Sequence, residues 1–148
     1  MPYLRITSPI LPSAEMAQVA ARLTQATNDL FFDPRGRITR EELRERTTVH
    51  FVPYAPDELY IGARTPAARG AVDITVEVSD WGMSRRQRRR IARQLTPVLA
   101  EVFGVPREGW DGINIRFHSY HPSEFAVGGR LLSDLVPAIG QIMRRFAG

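Results

Sequence analysis

Four stretches read as strands: "PYLRITS" from Pro2, "TTVHFVPY" from Thr47, "AVDITVEVS" from Ala71 and "GINIRFHSY" from Gly112. The third alternates apolar and polar positions, the period of a half-buried strand. Between the strands lie two segments of helical period. Val19, Leu23, Ala26 and Leu30 recur at i, i+4, i+7 and i+11, and so do Ile91, Leu95, Val98 and Val102. That spacing keeps one apolar stripe on one helix face. It predicts a first helix from about Ala14 to Phe31, with Ser13 as its cap, and a second from about Ser84 to Phe103. Pro97 falls inside the second pattern and is expected to kink or divide it. "EFAVGGR" predicts a short strand or hairpin, and "LLSDLVPAIGQIMRRF" a C-terminal helix interrupted near Pro137.

The pattern is duplicated. "TVHFVPYAPDELYIGAR" from Thr48 aligns without a gap on "NIRFHSYHPSEFAVGGR" from Asn114. The two share Phe51 with Phe117, Tyr54 with Tyr120, Pro56 with Pro122, Glu58 with Glu124, Gly62 with Gly128 and Arg64 with Arg130. The upstream helical stripes correspond as well. The first copy carries an extra "DPRGRITREELRE", and "ARTPAARG" reads as the linker between copies. The chain is therefore expected to form a single domain, 1–148, with repeats at about 2–64 and 71–135.

Each repeat is a strand, a helix and a strand, and right-handed crossovers make the strands within a repeat parallel. Two such β-α-β units predict an α/β fold: a four-stranded mixed sheet with both long helices on one face. The other face is expected to be apolar and to be buried by oligomerisation.

Composition narrows the chemistry. At 148 residues and 43% hydrophobic, the chain can bury one core. No apolar run approaches a membrane span, and the N-terminus lacks a secretory layout, so a cytoplasmic protein is the expectation. With no cysteine there is no thiol nucleophile and no thiolate metal site. His50, His118 and His121 show no helical ligand pair, so neither metal nor cofactor is implied. Lysine is absent and all 20 strong bases are arginine, which gives a net charge of +4. Amine chemistry could then come only from the chain terminus. Proline at position 2 favours loss of Met1, leaving a secondary amine at the start of an ordered strand.

Pro2 followed by "YLRITS", the duplicated β-α-β pattern and "EFAVGG" together resemble the tautomerase superfamily, 4-oxalocrotonate tautomerase and its two-unit fused relatives among them. The resemblance implies a homotrimer of two-unit chains. It also implies that Pro2 acts as general base or acid on a small anionic keto/enol acid, a proton-transfer isomerase with decarboxylation or hydration as lesser variants. An α-amino group titrates near pH 8 in the reference state, and burial or neighbouring guanidinium groups lower that value. Only the first repeat carries the proline, so one site per chain follows.

The substrate-binding arginines of the superfamily align with Pro12, Met83, Asn114 and Thr48, none of them arginine. Arg116, two residues from Asn114 on the same strand face, is the candidate for holding the substrate carboxylate. Asn114 is the candidate donor to a carbonyl oxygen. Phe125 and Trp81 are candidate pocket walls, each with core or interface packing as the plainer account.

Two other readings stand beside the enzyme. The missing arginines fit a catalytically silent trimer of the same fold, kept for binding or structure. The run "SRRQRRRIAR" could clamp nucleic acid through its phosphates. However, the apolar stripe runs through the same helix, and no aromatic residues interleave with the arginines. A solvated face or an oligomer contact accounts for the run better.

Overall fold

A computed structural model describes residues 1–135. Strand β1 (Tyr3–Pro9) leads to helix α1 (Ser13–Phe31), a short helix α2 (Arg40–Arg46) and strand β2 (Thr48–Tyr54). The second unit is β3 (Ile74–Trp81), α3 (Arg85–Phe103) and β4 (Ile113–Tyr120). The sheet order is β2-β1-β3-β4. β1 runs parallel to β2 and β3 parallel to β4, while the central pair β1 and β3 is antiparallel. This is the four-stranded mixed sheet that the pattern predicts, and α1 and α3 pack over one face of it.

The strand burial explains why that face is the core. Leu4, Ile6 and Ser8 on β1 alternate with exposed or half-buried neighbours. Ile74, Val76, Val78 and Asp80 do the same on β3. Val19, Leu23, Ala26 and Leu30 of α1 meet them, together with Ile91, Leu95, Leu99 and Ala100 of α3. The second face departs from the apolar expectation. Its positions carry Tyr3, Arg5, Thr7, Glu77, Ser79, Arg116 and His118. Glu77 sits between Arg5 at 3.5 Å and His118 at 3.3 Å, and the Tyr3 hydroxyl meets His50 Nδ1 at 2.5 Å. The alternation is the same on both faces, but this one carries mainly polar side chains, some of them bonded to each other.

Other local expectations are corrected. Ser13 is the first helical residue rather than the cap, and Pro12 takes that place, its carbonyl accepting from the Met16 N–H at 3.0 Å. Ser84 does cap α3, accepting from the Gln87 N–H at 3.2 Å. Pro97 does not divide α3, which runs through it. The residue is exposed, so water can take up the carbonyl it leaves unbonded, while buried Leu95 and Leu99 hold the turns on either side.

The inserted segment of the first unit forms α2, closed at its start by a reciprocal Thr39–Glu42 capping box. Thr39-x-x-Glu42 is a sequence signal for such a start. "EFAVGGR" forms an antiparallel hairpin of β5 (Ala126–Val127) and β6 (Arg130–Leu131). The expected C-terminal helix begins at Leu132–Leu135, and the remainder lies outside the described residues.

Candidate active site

Pro2 is fully buried just ahead of β1, and the Thr48 N–H donates to its carbonyl at 3.0 Å. Continuing the β1–β3 register, where Tyr3 faces Ser79, puts Pro2 opposite Asp80. Both lie on the core-facing side of the sheet. The terminal ammonium of Met1 donates to Asp80 Oδ1 at 2.5 Å. The same oxygen accepts the Trp81 N–H at 2.9 Å. Asp80 is 8% exposed, so its carboxylate is removed from bulk water and held by these two donors.

Tyr120 closes the same end of the sheet from β4, where it pairs in register with Trp81. Its ring stacks on Phe125 with centroids 5.5 Å apart. Burial pushes the Tyr120 hydroxyl up to about 12, and the negative charge of Asp80 adds to the shift. Ser119 beside it accepts the Met83 N–H at 3.1 Å and ties β4 to the turn before α3.

Pro2, Trp81 and Phe125 therefore share one end of the sheet. Asn114 and Arg116 do not join them within the chain. Asn114 pairs with Thr75, five residues along β3 from Asp80, which is about 16 Å at the usual rise per residue. Its amide donates to Asp73 Oδ1 at 3.2 Å. Arg116 pairs with Glu77 and is exposed on the polar face of the sheet.

The sequence reading overlooked Asp80 and Tyr120. The signal for Asp80 was present: it occupies the next inward position after Ile74, Val76 and Val78, where an unpaired carboxylate would be costly. The signal for Tyr120 was its duplication as Tyr54. Among the described residues, the charge bonded to the chain terminus is thus a carboxylate, where the resemblance implies guanidinium groups.

Among the described residues, no helix is long and apolar enough to cross a membrane. No protein-family model and no curated protein matches the chain. Solved structures do. Native fused 4-OT aligns with 23% identity and a TM-score of 0.70 over 90% of this chain and 98% of that one. Pt0534 inactivated by 2-oxo-3-pentynoate aligns with 14% identity and a TM-score of 0.72 over the same shares. N1, a member of the cis-3-chloroacrylic acid dehalogenase family, aligns with 16% identity and a TM-score of 0.66 over 94% of this chain and 99% of that one. With two paired β-α-β units in one sheet and the chain terminus at the end of its inner strand β1, this chain has the fold of the fused 4-OT structures.

Proposed function

We propose that the chain is a tautomerase-like enzyme, an isomerase in which Pro2, freed by loss of Met1, carries a proton between two positions of a small keto/enol carboxylic acid. The observation that carries this reading is the Met1 ammonium bonded to buried Asp80 at the ordered start of β1. It puts the terminal nitrogen in a fixed, partly dry setting instead of on a frayed end. With Met1 attached, the Pro2 nitrogen is an amide and has no basicity. Once Met1 is gone it is a secondary amine, able to take a proton from an enol or deliver one to carbon. Such a group contributes on the order of 10²–10⁴-fold.

The proposed assembly is a homotrimer, as in the fused 4-OT proteins R7 and Q0, whose structures are trimers. In it, Arg116 and Asn114 would serve the Pro2 site of a neighbouring copy. The reaction itself calls on no cofactor. Intact mass is expected to show loss of Met1. Turnover of phenylenolpyruvate or 2-hydroxymuconate is expected to fall by about 10²–10⁴-fold in Pro2→Ala. Equal rates for the two proteins would remove Pro2 from the mechanism.

A second reading, a catalytically silent trimer, is favoured by one observation: among the described residues no arginine pairs with Asp80 beside the chain terminus. Absence of turnover across a panel of enol and keto acids, from protein shown to start at Pro2, would select it.

A further inference from the structure

The terminal nitrogen has a partner that the enzyme reading does not require. We propose that Asp80 is its positioning residue: after loss of Met1, the Asp80 carboxylate takes the Pro2 ammonium as it takes that of Met1, and residue 2 then works mainly as a proton donor near neutral pH. This rests on Pro2 being the first residue of the working protein, but not on the identity of any substrate.

Three observations carry it. Asp80 continues the Ile74, Val76, Val78 stripe and is 8% exposed, a place where a lone carboxylate costs several kcal/mol unless a cation or donors meet it. Pro2 is its cross-strand neighbour on the same face, and directly opposed side chains in a sheet stand about 5 Å apart at Cβ. The third is internal to the molecule. Tyr3 pairs with Thr48 as Thr75 pairs with Asn114, so superposing the two units puts Pro2 on Ile74 and Ser8 on Asp80. Ser8 is 1% exposed and bears no charge. Of these two equivalent positions, only the one beside the chain terminus, where a free amine can arise, carries a carboxylate.

Among the described residues the groups facing Asp80 are few. β1 brings the terminal ammonium and β4 brings Ser119, its partner in register, with the Tyr120 hydroxyl near enough to feel its charge. The nearest arginine of α3 in the bonding pattern, Arg88, donates to the Met83 carbonyl and not to Asp80. Among the described residues, the ammonium is thus the cation paired with this carboxylate.

The absence of lysine makes a clean test, because the terminal nitrogen is the one amine of the chain. Methyl propiolate, an uncharged alkynyl ester, reacts with a neutral secondary amine. The nitrogen lone pair forms an N–C bond to the triple bond, the N–H proton ends on the adjacent carbon, and the whole reagent is added. Met1-free protein is labelled across pH, the adduct is located by peptide mass, and the readout is the pH midpoint of the rate. Asp80→Asn is expected to lower that midpoint by about one to three pH units, the range for loss of an opposed charge. Asp80→Glu is expected to restore it. If Asp80→Asn is too unstable to label, Asp80→Ser, which copies the Ser8 end, carries the same expectation.

A midpoint unchanged between the parent and the neutral variants overturns the proposal. So does Asp80→Glu behaving like Asp80→Asn. The measurement needs no turnover, so an inactive protein would count against the enzyme reading and leave this one standing.

Discussion

The two ends of the sheet are built to one plan and finished differently. At one end are Pro2, Asp80, Tyr120 and Phe125. At the other, the same positions of the plan hold Ile74, Ser8, Tyr54 and Leu59. The backbone pairing is equivalent, but the polar groups are not. The Tyr54 hydroxyl donates to the Asp73 carbonyl at 2.6 Å, so it is committed to holding the start of β3. The Tyr120 hydroxyl has no hydrogen-bond partner among the described residues. The nitrogen of Ile74 is locked in an amide, while the chain starts beside Asp80. The two ends of the duplicated scaffold therefore differ in one buried carboxylate, a chain terminus and one hydroxyl without a partner among the described residues.

The largest expected effect comes from moving the carboxylate to the wrong end. Ser8→Asp would bury a charge opposite Ile74, with no ammonium in reach. The expected loss is about 3 kcal/mol at pH 7, read as a lower urea midpoint, because an uncompensated buried charge is among the costliest single changes. The loss should shrink toward pH 4, where the new carboxyl takes a proton in preference to remaining charged. A loss below about 1 kcal/mol at pH 7 would mean that either end accepts a carboxylate, and the contrast between them would lose its force.

The two tyrosines give a smaller, pH-dependent difference. The Tyr120 hydroxyl is pushed up to about 12 by burial and then by Asp80. Burial also raises Tyr54, but its bond to the Asp73 carbonyl works in the opposite direction. In the unfolded chain a phenol titrates near 10. Between pH 10 and 12 the unfolded state gives up the Tyr120 proton while the folded state keeps it. Stability is therefore complete below pH 10 and is lost as pH rises through 12. Tyr120 is only partly buried, so solvent screening reduces the effect to about 1 kcal/mol. Urea melts at pH 8 and 11.5 should show Tyr120→Phe losing less stability over that interval than the parent. Tyr54→Phe should change the slope less, and should cost about 1 kcal/mol at both pH values through its lost hydrogen bond. A steeper slope from Tyr54 would reverse the ranking of the two ends.

Much of the scaffold could be read from the chain because periodicity reports burial. Val19, Leu23, Ala26 and Leu30 announce one face of α1, and the alternation from Ile74 to Val78 announces β3. The site was harder, because its parts are joined by strand register, which periodicity does not encode. Nothing local to "VSDWG" says that Asp80 faces residue 2. That follows only once β1 and β3 are known to run antiparallel with Tyr3 against Ser79. The same limit applies to Arg116 and Asn114. Their shared strand face was legible, but their distance from Pro2 within the chain was not. The polar second face departs from expectation for another reason: the face that carries no helix is expected to be apolar and to be buried by oligomerisation, whereas Arg5, Glu77 and His118 satisfy each other across the strands. The shared Glu58 and Glu124 prove structural, each accepting a backbone N–H three residues upstream, from Ala55 at 2.7 Å and His121 at 2.6 Å.

The finest test of the duplication lies in its two hairpins. Val127-Gly128-Gly129-Arg130 turns with both glycines at positive φ, 58° and 78°. Ile61-Gly62-Ala63-Arg64 makes the same turn, with Ile61 and Arg64 bridged and Gly62 and Ala63 at 57° and 60°. A two-residue turn with both φ angles positive suits glycine, and alanine there crowds its Cβ against the carbonyl by about 1–2 kcal/mol. Glycine forfeits roughly half of that through its freer unfolded chain. Ala63→Gly should therefore stabilise by about 0.5 kcal/mol, a rise in melting temperature on the order of 1–3 °C. Gly129→Ala should lower it by a similar amount. If both substitutions were neutral, the left-handed conformation at position 63 would not be held in solution, and the first hairpin would not be a structural copy of the second. Opposite signs would show that both turns are held alike, leaving the difference between the units to the ends of the sheet.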